Sequence, residues 1–229
     1  MKKVIVVTGA TGALGLDTVK KLARKNFTVV GICRGKMPDF EHDNVSYIEN
    51  CDLSIKEQAD NAIAEVANQH GHIFGLINIA GGFIWKTIAD TTMEDIENQF
   101  SMNFKTMFNA TKAALDYMYD GRIINIGATG AINADQGMAA YAISKSAVLR
   151  FTEALSKETP ETITVNAILP SIIDTPQNRK DMPDADTSEW VKTSTLVREM
   201  VYYLSDEGAV SNGEMSLGTA DQLKGRVNV

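Results

Sequence analysis

The sequence is short of cysteine, of long apolar runs and of basic charge, and each shortage removes a class of protein from consideration. Cys33 and Cys51 are its two cysteines and show no metal-ligand spacing, so we expect no disulfide framework and no metal site. The net charge of −7 gives no overall attraction to nucleic acid or to an anionic membrane, and we expect neither as a partner. No apolar run reaches the roughly 18 residues that a transmembrane helix needs.

The first residues do not resemble a secretion signal. Met1, Lys2 and Lys3 are followed by the apolar run 4–7 and then by a glycine-rich turn, with no small-residue cleavage site. We interpret this segment as a first β-strand and expect a cytoplasmic protein that acts on a small-molecule substrate.

The chain is predicted to be one α/β domain. Its 229 residues suit a single domain over 1–229, and no repeat or low-complexity linker divides them. β-Branched runs alternate with segments of helical periodicity, which is typical of a doubly wound parallel sheet covered by helices on both faces. The predicted strands span residues 4–7, 27–33, 45–48, 73–79, 122–126 and 163–169. A ligand crevice is expected where the carboxyl ends of such strands meet.

A glycine turn follows the first strand and opens a helix. Its glycines let the backbone turn tightly and approach a pyrophosphate, which would rest on the N-terminus of the helix. This strand–turn–helix context predicts a dinucleotide site, and the alternative is a tight turn without a ligand. The residues expected to contact the cofactor here are Gly9, Thr11, Gly12, Ala13, Leu14 and Gly15.

The end of the second strand predicts which dinucleotide is bound. An acidic residue at this place would bind the ribose 2′-hydroxyl, but the sequence has Cys33, Arg34 and Lys36, with no carboxylate before Asp39. Arg34 can pair with a 2′-phosphate, and we therefore expect NADP(H). NAD(H) is the alternative, in which case the segment is a solvated basic turn.

Tyr141 and Lys145 form the candidate catalytic pair. They are four residues apart, so on a helix they lie one above the other on one face. A neighbouring ammonium favours the phenolate, and Lys145 is expected to lower the pKa of Tyr141 and make it a general acid for carbonyl or imine reduction. Taken alone, such a pair is more often an ordinary exposed pair on a helix.

Two longer segments complete the pattern. A helix is predicted over 93–119, with Asn103, a poor helix former, in its middle. The polar stretch 176–190 is interpreted as a long structureless loop, a feature that is usually functional or mobile in a compact domain.

These residues together resemble the short-chain dehydrogenase/reductase family over essentially the whole chain. The resemblance is carried by the turn 8–15, Asp52 with Leu53, the segment 78–81, Asn103, Tyr141 with Lys145, and the segment 170–175. It implies a Rossmann-like fold and an NAD(P)-linked oxidoreductase. It also implies that Tyr141 protonates the substrate, that Lys145 assists it and holds the nicotinamide ribose, and that Asn103 anchors a water in a proton relay.

The resemblance extends the cofactor site to other strand ends. Asp52 would meet the adenine, and Thr175 would meet the carboxamide. The other cofactor contacts that it implies are Cys33, Arg34, Leu53, Asn78, Ala80, Gly81, Pro170 and Ile172.

Three features depart from the family pattern. The glycine spacing within residues 9–15 is commoner in longer members. Ser171 stands where the family usually has glycine. Ala128 lies thirteen residues before Tyr141, at the position of the family's active-site serine, and its methyl group cannot donate a hydrogen bond to a carbonyl oxygen.

Within the family, the late loop resembles that of the quinonoid dihydropteridine reductases, whereas residues 81–110 are more similar to general carbonyl reductases. The dihydropteridine reductases also carry alanine at the serine position and a Gly-Met pair, here Gly137 and Met138, before the tyrosine, and their late loop is similar to residues 169–186. Bacterial reductases of unassigned substrate can share this loop, so the resemblance does not fix the substrate. Ala128, which offers no donor to a developing alkoxide, favours an activated acceptor. Met138 and Trp190 are candidate apolar walls around a flat ring, or they are plain core packing.

Three functions are compatible with these patterns. The leading one is an NADPH-preferring reductase of a small activated acceptor, such as a quinonoid dihydropterin. The second is a 3-oxoacyl or other carbonyl reductase, for which Ala128 is a handicap, and the third is an NADP-binding regulatory protein with weak chemistry. The resemblance also implies a homodimer or homotetramer through the helices near 93–119 and 141–157.

Overall fold

The computed structural model describes residues 2–219 and the backbone of 226–227. Ten strands and seven α-helices are found in this part of the chain. The strands are β1 Val4–Thr8, β2 Thr28–Ile32, β3 Val45–Ile48, β4 Gly75–Asn78, β5 Gly121–Ile126, β6 Ile163–Pro170, β7 Ile173–Asp174, β8 Val191–Lys192, β9 Met215–Gly218 and β10 Arg226–Val227. The helices are α1 Ala13–Arg24, α2 Lys56–His70, α3 Met93–Phe100, α4 Thr106–Leu115, α5 Ala139–Glu158, α6 Pro176–Asp181 and α7 Thr193–Tyr203.

The main sheet confirms the predicted fold class. Its strands lie in the order β3-β2-β1-β4-β5-β6-β9-β10. The first seven are parallel, and β10 pairs antiparallel with β9 at the edge. The strand order reverses direction between β1 and β4, and such a switch point opens a crevice at the carboxyl ends of the strands.

Both faces of the sheet are buried, which explains why its strands are continuous apolar runs rather than alternating ones. Side chains of α1 and α7 cover one face together with Ile5 and Val7. Side chains of α2, α4 and α5 cover the other face together with Val4 and Val6. Across residues 2–219, no helix is long and apolar enough to cross a bilayer.

Buried amides join the strand ends beneath the crevice. Asn78 Nδ2 donates to Thr111 Oγ1 and to Asn125 Oδ1, both at 2.9 Å. Asn125 Nδ2 in turn donates to Thr152 Oγ1 at 2.9 Å. These bonds satisfy polar groups that would be costly to bury alone, and they tie β4 and β5 to helices α4 and α5.

The helix predicted over 93–119 is interrupted. It consists of α3, a π-helical turn Ser101–Lys105 and α4, and it ends at Leu115. Asn103 lies in the π-helical turn, where its side chain leaves the helix to bond elsewhere. π-Helical turns of this kind are often found at functional sites.

The stretch predicted as a structureless loop, 176–190, contains the helix α6. Its two ends are joined, because β7 before it pairs in parallel with β8 after it. Arg179 of α6 also makes hydrogen bonds of 2.6 and 2.9 Å to both carboxylate oxygens of Asp174. The segment is therefore a partly helical loop whose two ends are held together by the pairing of β7 with β8.

Candidate active site

A crevice of about 1270 Å³ lies over the carboxyl ends of the central strands. One end is lined by the glycine turn, Arg34 and Asp52, and the other end by residues that surround Tyr141. Single-ligand pockets generally have volumes of about 300–1,000 Å³, so the crevice has room for a dinucleotide together with a second molecule.

The glycine turn is built for close backbone contact. Gly9 has φ +66°, and a side chain on it would lie 2.9 Å from the backbone of Ala80. A side chain on Gly15 would lie 2.1 Å from the carbonyl oxygen of Gly9. Neither position tolerates a side chain. The turn therefore stays compact, and the N-terminus of α1 lines the crevice.

The residues present fit a dinucleotide. The first turn of α1 has no acidic residue, and no side chain caps its N–H groups, which leaves those donors and the positive end of the helix dipole for a phosphate. Among the described residues, Ser171 Oγ is buried without a hydrogen-bond partner, and Ser171 lines the crevice. A buried hydroxyl of this kind is expected to meet a ligand or water.

Arg34 and Asp52 mark the adenosine end. Asp52 accepts a 2.9 Å hydrogen bond from the N–H of Ser54. Its pKa is lowered by the hydrogen bond from Ser54 and, to a smaller extent, by the charge of Arg34. Asp52 is therefore a carboxylate at neutral pH, and Arg34 is the basic side chain on the crevice at the end of β2.

The side chain of Cys33, a predicted cofactor contact, does not line the crevice. Its side chain is fully buried in the core beside α1, and burial together with the charge of Glu49 raises the pKa of its thiol to about 11. The prediction placed Cys33 beside the cofactor because it directly precedes Arg34. In a strand buried on both faces, successive side chains point to opposite sides, so Cys33 faces the core instead.

Two other predicted cofactor contacts have structural roles. Asn78 belongs to the buried amide network. Thr175 is the N-cap of α6, where its Oγ1 accepts a 3.1 Å hydrogen bond from the N–H of Asn178. Neither residue lines the crevice. The predicted contacts that do line it are Gly9, Thr11, Gly12, Ala13, Leu14, Gly15, Arg34, Asp52, Leu53, Ala80, Gly81, Tyr141, Lys145, Pro170 and Ile172.

Tyr141 and Lys145 lie together on α5 and both line the crevice. Lys145 is buried, and its Nζ donates a 2.7 Å hydrogen bond to the carbonyl oxygen of Ile126. Nζ is 6.0 Å from the centre of the Tyr141 ring. Lys145 is therefore held against the end of β5, one helical turn after Tyr141 on α5.

Burial dominates the pKa values of both members of the pair. Burial raises the pKa of Tyr141 to about 12, and burial lowers the pKa of Lys145 to about 8. Loss of hydration disfavours the charged form of each group. Tyr141 is consequently a protonated phenol at neutral pH, which is the form that an acid needs.

Asn103 is buried and does not line the crevice. Its Oδ1 accepts a 3.0 Å hydrogen bond from the N–H of Gly82, and its Nδ2 donates to Gly82 O at 3.0 Å and to Ser144 Oγ at 3.1 Å. Ser144 Oγ in turn donates to the carbonyl oxygen of Tyr141 at 2.7 Å. The Asn103 side chain thus connects the end of β4 to the helix that carries Tyr141.

Ala128 lines the crevice beside the catalytic pair. Its backbone is extended, with φ −163° and ψ 150°. The neighbouring hydroxyl of Thr129 is directed to the carbonyl oxygen of Pro170, at 3.4 Å. The position that carries a serine hydroxyl in the family pattern is therefore occupied by a methyl group, as predicted.

The two candidate substrate walls differ in position. Met138 lines the crevice, and its methyl group packs where a side chain on Gly130 would lie. Trp190 is 5% exposed and is not part of the crevice lining. Trp190 is therefore core packing.

Three large apolar side chains on the crevice were not predicted from the sequence. Phe83, Ile84 and Trp85 follow Gly82 and line the crevice next to Tyr141. The available signal was a run of large apolar residues in a glycine-bounded segment after a strand, where a loop is usually polar.

Comparison with known proteins gives the family. The sequence pattern of the family described as short chain dehydrogenase matches residues 3–186. An oxidoreductase of Staphylococcus epidermidis is 25% identical over 224 residues, which cover 94% of this chain and 96% of the relative. A dihydropteridine reductase of Dictyostelium discoideum is 26% identical over 222 residues, which cover 94% of each chain.

A solved structure is similar over the same length. It is a short chain dehydrogenase from Burkholderia cenocepacia in complex with NADP, with 26% sequence identity and a TM-score of 0.83. The similarity covers 94% of this chain and 95% of that one. With a family match over most of its length and the candidate pair Tyr141 and Lys145 at the crevice, the chain belongs to the short-chain dehydrogenase/reductase family of NAD(P)-dependent oxidoreductases.

Proposed function

We propose that this oxidoreductase uses NADPH to reduce a small activated acceptor, of which a quinonoid dihydropterin is the leading candidate. The observation that carries the proposal is the combination of an acid pair, Tyr141 and Lys145, with Ala128 on the same crevice. The nicotinamide cofactor supplies the hydride. The residues of the chain bind and orient the two molecules and deliver the proton.

Tyr141 delivers that proton. Its hydroxyl is protonated at neutral pH, because burial raises the pKa of Tyr141 to about 12. The acceptor takes this proton as it takes the hydride, and solvent restores the proton to Tyr141 through the mouth of the crevice. The ammonium of Lys145 stabilises the phenolate that forms in between.

Ala128 limits the range of acceptors. A ketone that receives hydride develops negative charge on oxygen, and a missing hydrogen-bond donor at that oxygen costs about 10²–10³ in rate. A quinonoid ring regains conjugation on reduction, so its driving force is already large and it needs less help. The Dictyostelium relative, a dihydropteridine reductase, is compatible with this substrate class at a distant level of identity.

Arg34 supports the choice of NADPH. It lies on the crevice at the end of β2, near enough to Asp52 to lower the pKa of that carboxyl. An arginine at this place can form a charge-assisted pair with a 2′-phosphate. Glu49 is the opposing feature, since its charge acts on the neighbouring Cys33 and disfavours a phosphate.

The substrate is tested with a panel of acceptors. Steady-state rates are measured with quinonoid dihydropterin, a quinone, a diketone and acetoacetyl-CoA, each with NADPH and with NADH. We expect the highest kcat/KM for the pterin with NADPH. Ketone turnover well above pterin turnover would indicate a carbonyl reductase, and cofactor binding without turnover of any acceptor would indicate a regulatory protein.

We also propose that the chain associates with a second copy through the outer face of α3, α4 and α5. Phe100 and Ile143 are 37% and 50% exposed there. Phe104 extends the apolar surface, with ring centres 4.7 Å from Phe100 and 5.9 Å from Phe151. Light scattering during size-exclusion chromatography should give at least a dimer, and Phe100→Glu should shift it toward the monomer.

A further inference from the structure

Three adjacent apolar side chains stand exposed in the crevice beside Tyr141. Phe83, Ile84 and Trp85 are 52%, 38% and 55% exposed, and all three line the crevice. A contiguous patch of large apolar side chains in a concave site generally marks a binding surface. We call residues 83–85 the aromatic wall.

Hydrogen bonds anchor the chain before and after the aromatic wall, although its side chains are exposed. Before it, the Asn103 side chain makes two 3.0 Å hydrogen bonds to the backbone of Gly82. After it, the N–H of Lys86 donates to the carbonyl oxygen of Gly137 at 3.0 Å, and Lys86 Nζ pairs with Asp95 at 2.7 Å. The chain on both sides of the segment is therefore anchored before any ligand arrives, which reduces the backbone entropy lost on binding.

The indole of Trp85 packs against Gly137. A side chain on Gly137 would lie 2.3 Å from atoms Cε2 and Nε1 of the Trp85 indole. Gly137 also has φ +76°, a conformation that glycine adopts readily and other residues rarely. Gly137 therefore provides the contact surface that the indole packs against, and this contact fixes Trp85 at the entrance to the active site.

Phe83 places the wall next to the proton donor. Its ring meets the ring of Tyr141 edge to face, with centres 4.9 Å apart and planes at 87°. Met138, on the other side of Gly137, also lines the crevice. A ligand within reach of the Tyr141 hydroxyl thus lies against aromatic and thioether surfaces, which favour contact with a flat π-system.

The polar side chains that line the crevice bear little charge. Asn98, Asn133, Gln136 and Asn178 belong to the lining, together with the carboxylate of Asp135. Among the described lining residues the cations are Arg34, at the adenosine end, and the buried Lys145. Such a lining suits hydrogen bonding to a neutral heterocycle, and it offers few cations for the phosphates of a carrier-bound acyl chain.

From this arrangement we infer that Phe83 and Trp85 are specificity-determining residues that select a flat, uncharged, conjugated ring as the acceptor. This inference rests on the proposed function, since it assigns the substrate class of the same site. It adds the side chains that recognise the ring and predicts discrimination by shape, separate from the effect of Ala128 on chemistry.

Kinetics of Trp85→Ala and Phe83→Ala test the inference. The flat acceptors are quinonoid dihydropterin and menadione, and the non-planar comparison is cyclohexanone, all with NADPH. Each substitution should raise KM for the flat acceptors by about tenfold, the equivalent of ~1.4 kcal/mol of lost ring contact, with a smaller change in kcat. The matched control is Ile88→Ala, because Ile88 is 75% exposed in the same connection and lies outside the crevice lining.

A binding measurement separates this inference from the proposed function. Oxidised pterin, used as a ring that is not turned over, is titrated into the protein with NADP⁺ while tryptophan fluorescence is followed. We expect quenching in the unaltered protein and in Ile88→Ala, and a Kd raised by about tenfold in Phe83→Ala, which keeps Trp85 as the reporter. Trp85→Phe, which retains the buried Trp190, gives the baseline signal without that reporter.

The outcomes distinguish the two ideas. Pterin binding that is weakened by Phe83→Ala, without turnover of the pterin, would support the wall and overturn the proposed reaction. Rapid pterin reduction with KM unchanged in both wall variants would support the reaction and overturn the wall. Equal losses on menadione and cyclohexanone would likewise overturn selection by shape, and NADPH affinity and thermal melting check that each variant is folded.

Discussion

The side-chain amide of Asn103 holds the backbone of Gly82 through two hydrogen bonds. Oδ1 accepts from the N–H of Gly82 and Nδ2 donates to Gly82 O, each at 3.0 Å. The π-helical turn Ser101–Lys105 brings Asn103 to this position. The irregularity in the helix therefore connects the acid on α5 with the segment that borders the substrate end of the crevice.

Replacing Asn103 should damage both stability and turnover. Asn103→Leu leaves the half-buried Gly82 N–H and carbonyl without these partners, and an unsatisfied polar group costs up to about 1–3 kcal/mol when it is fully buried. Urea unfolding should show a loss in that range, and kcat should fall because the position of Gly82 is no longer fixed. The matched control is Asn68→Leu, an exposed position on α2, and equal stability of the two variants would contradict the connection.

Arg34 should decide between the two dinucleotides. Arg34→Gln removes the partner of the 2′-phosphate, and a charge-assisted hydrogen bond contributes about 1.5–3 kcal/mol. Fluorescence titration should show a weaker affinity for NADPH and little change for NADH. Lys36→Gln, an exposed change outside the crevice lining, is the control. A tenfold preference of the unaltered protein for NADH would show that this interpretation of Arg34 is wrong.

The buried Lys145 should make stability depend on pH. Its pKa is lowered from 10.5 to about 8 in the folded chain, so below pH 8 both folded and unfolded chains hold the proton. Between about pH 8 and 10.5 only the unfolded chain holds it, and stability rises with pH wherever the unfolded state binds more protons. The resulting gain in the free energy of unfolding is on the order of 3 kcal/mol at pH 10.5.

Comparison with Lys145→Met separates the contribution of Lys145 to the free energy of unfolding from that of the tyrosines and cysteines. The raised pKa values of those groups make stability fall as the pH rises. Denaturant unfolding without cofactor is measured from pH 7 to 10 for both proteins. The unaltered protein should gain stability relative to Lys145→Met as the pH rises above 8. A constant difference over the whole range would mean that Lys145 is not desolvated as the structure has it.

Restoring a hydroxyl at Ala128 should change the acceptors unequally. Ala128→Ser supplies a donor at the place where a ketone oxygen becomes negatively charged, and such a donor is worth about 10²–10³ in rate when well aligned. Ketone turnover should therefore rise more than quinonoid pterin turnover in side-by-side steady-state assays. Ala131→Ser, on the neighbouring short helix and outside the crevice lining, is the control. An equal change on both acceptors would remove Ala128 from the account of specificity.

The fold could be predicted because its signals are local. The β-branched run that became β1 and the glycine turn after it follow from backbone sterics and strand burial. Tyr141 and Lys145 were also predictable, since a separation of four residues gives one helix face wherever the helix lies in space. Their placement on the crevice then follows from the connection order of the sheet.

Features that depend on one residue of register or on tertiary contacts were not predictable. Apolar periodicity does not reveal the π-helical turn. The turn inserts one extra residue, and the resulting shift is smaller than the ordinary scatter of apolar positions along a helix. Cys33 illustrates the limit in strands, since a run buried on both faces gives no sign of which side chain faces the ligand. The aromatic wall was missed because a large apolar residue is normally expected in the core, and the contact of Trp85 with Gly137 joins distant parts of the chain.

The central claim is that Tyr141 is the acid of a reductase, and Tyr141→Phe tests it most directly. The substitution keeps the ring and its contact with Phe83 but removes the transferable proton, and Tyr119→Phe, at an exposed position outside the crevice lining, is the control. Stopped-flow or steady-state oxidation of NADPH by quinonoid dihydropterin should fall by about 10²–10⁴ in Tyr141→Phe, with the Kd for NADPH almost unchanged and Tyr119→Phe fully active. Turnover in Tyr141→Phe equal to that of the unaltered protein would contradict the account.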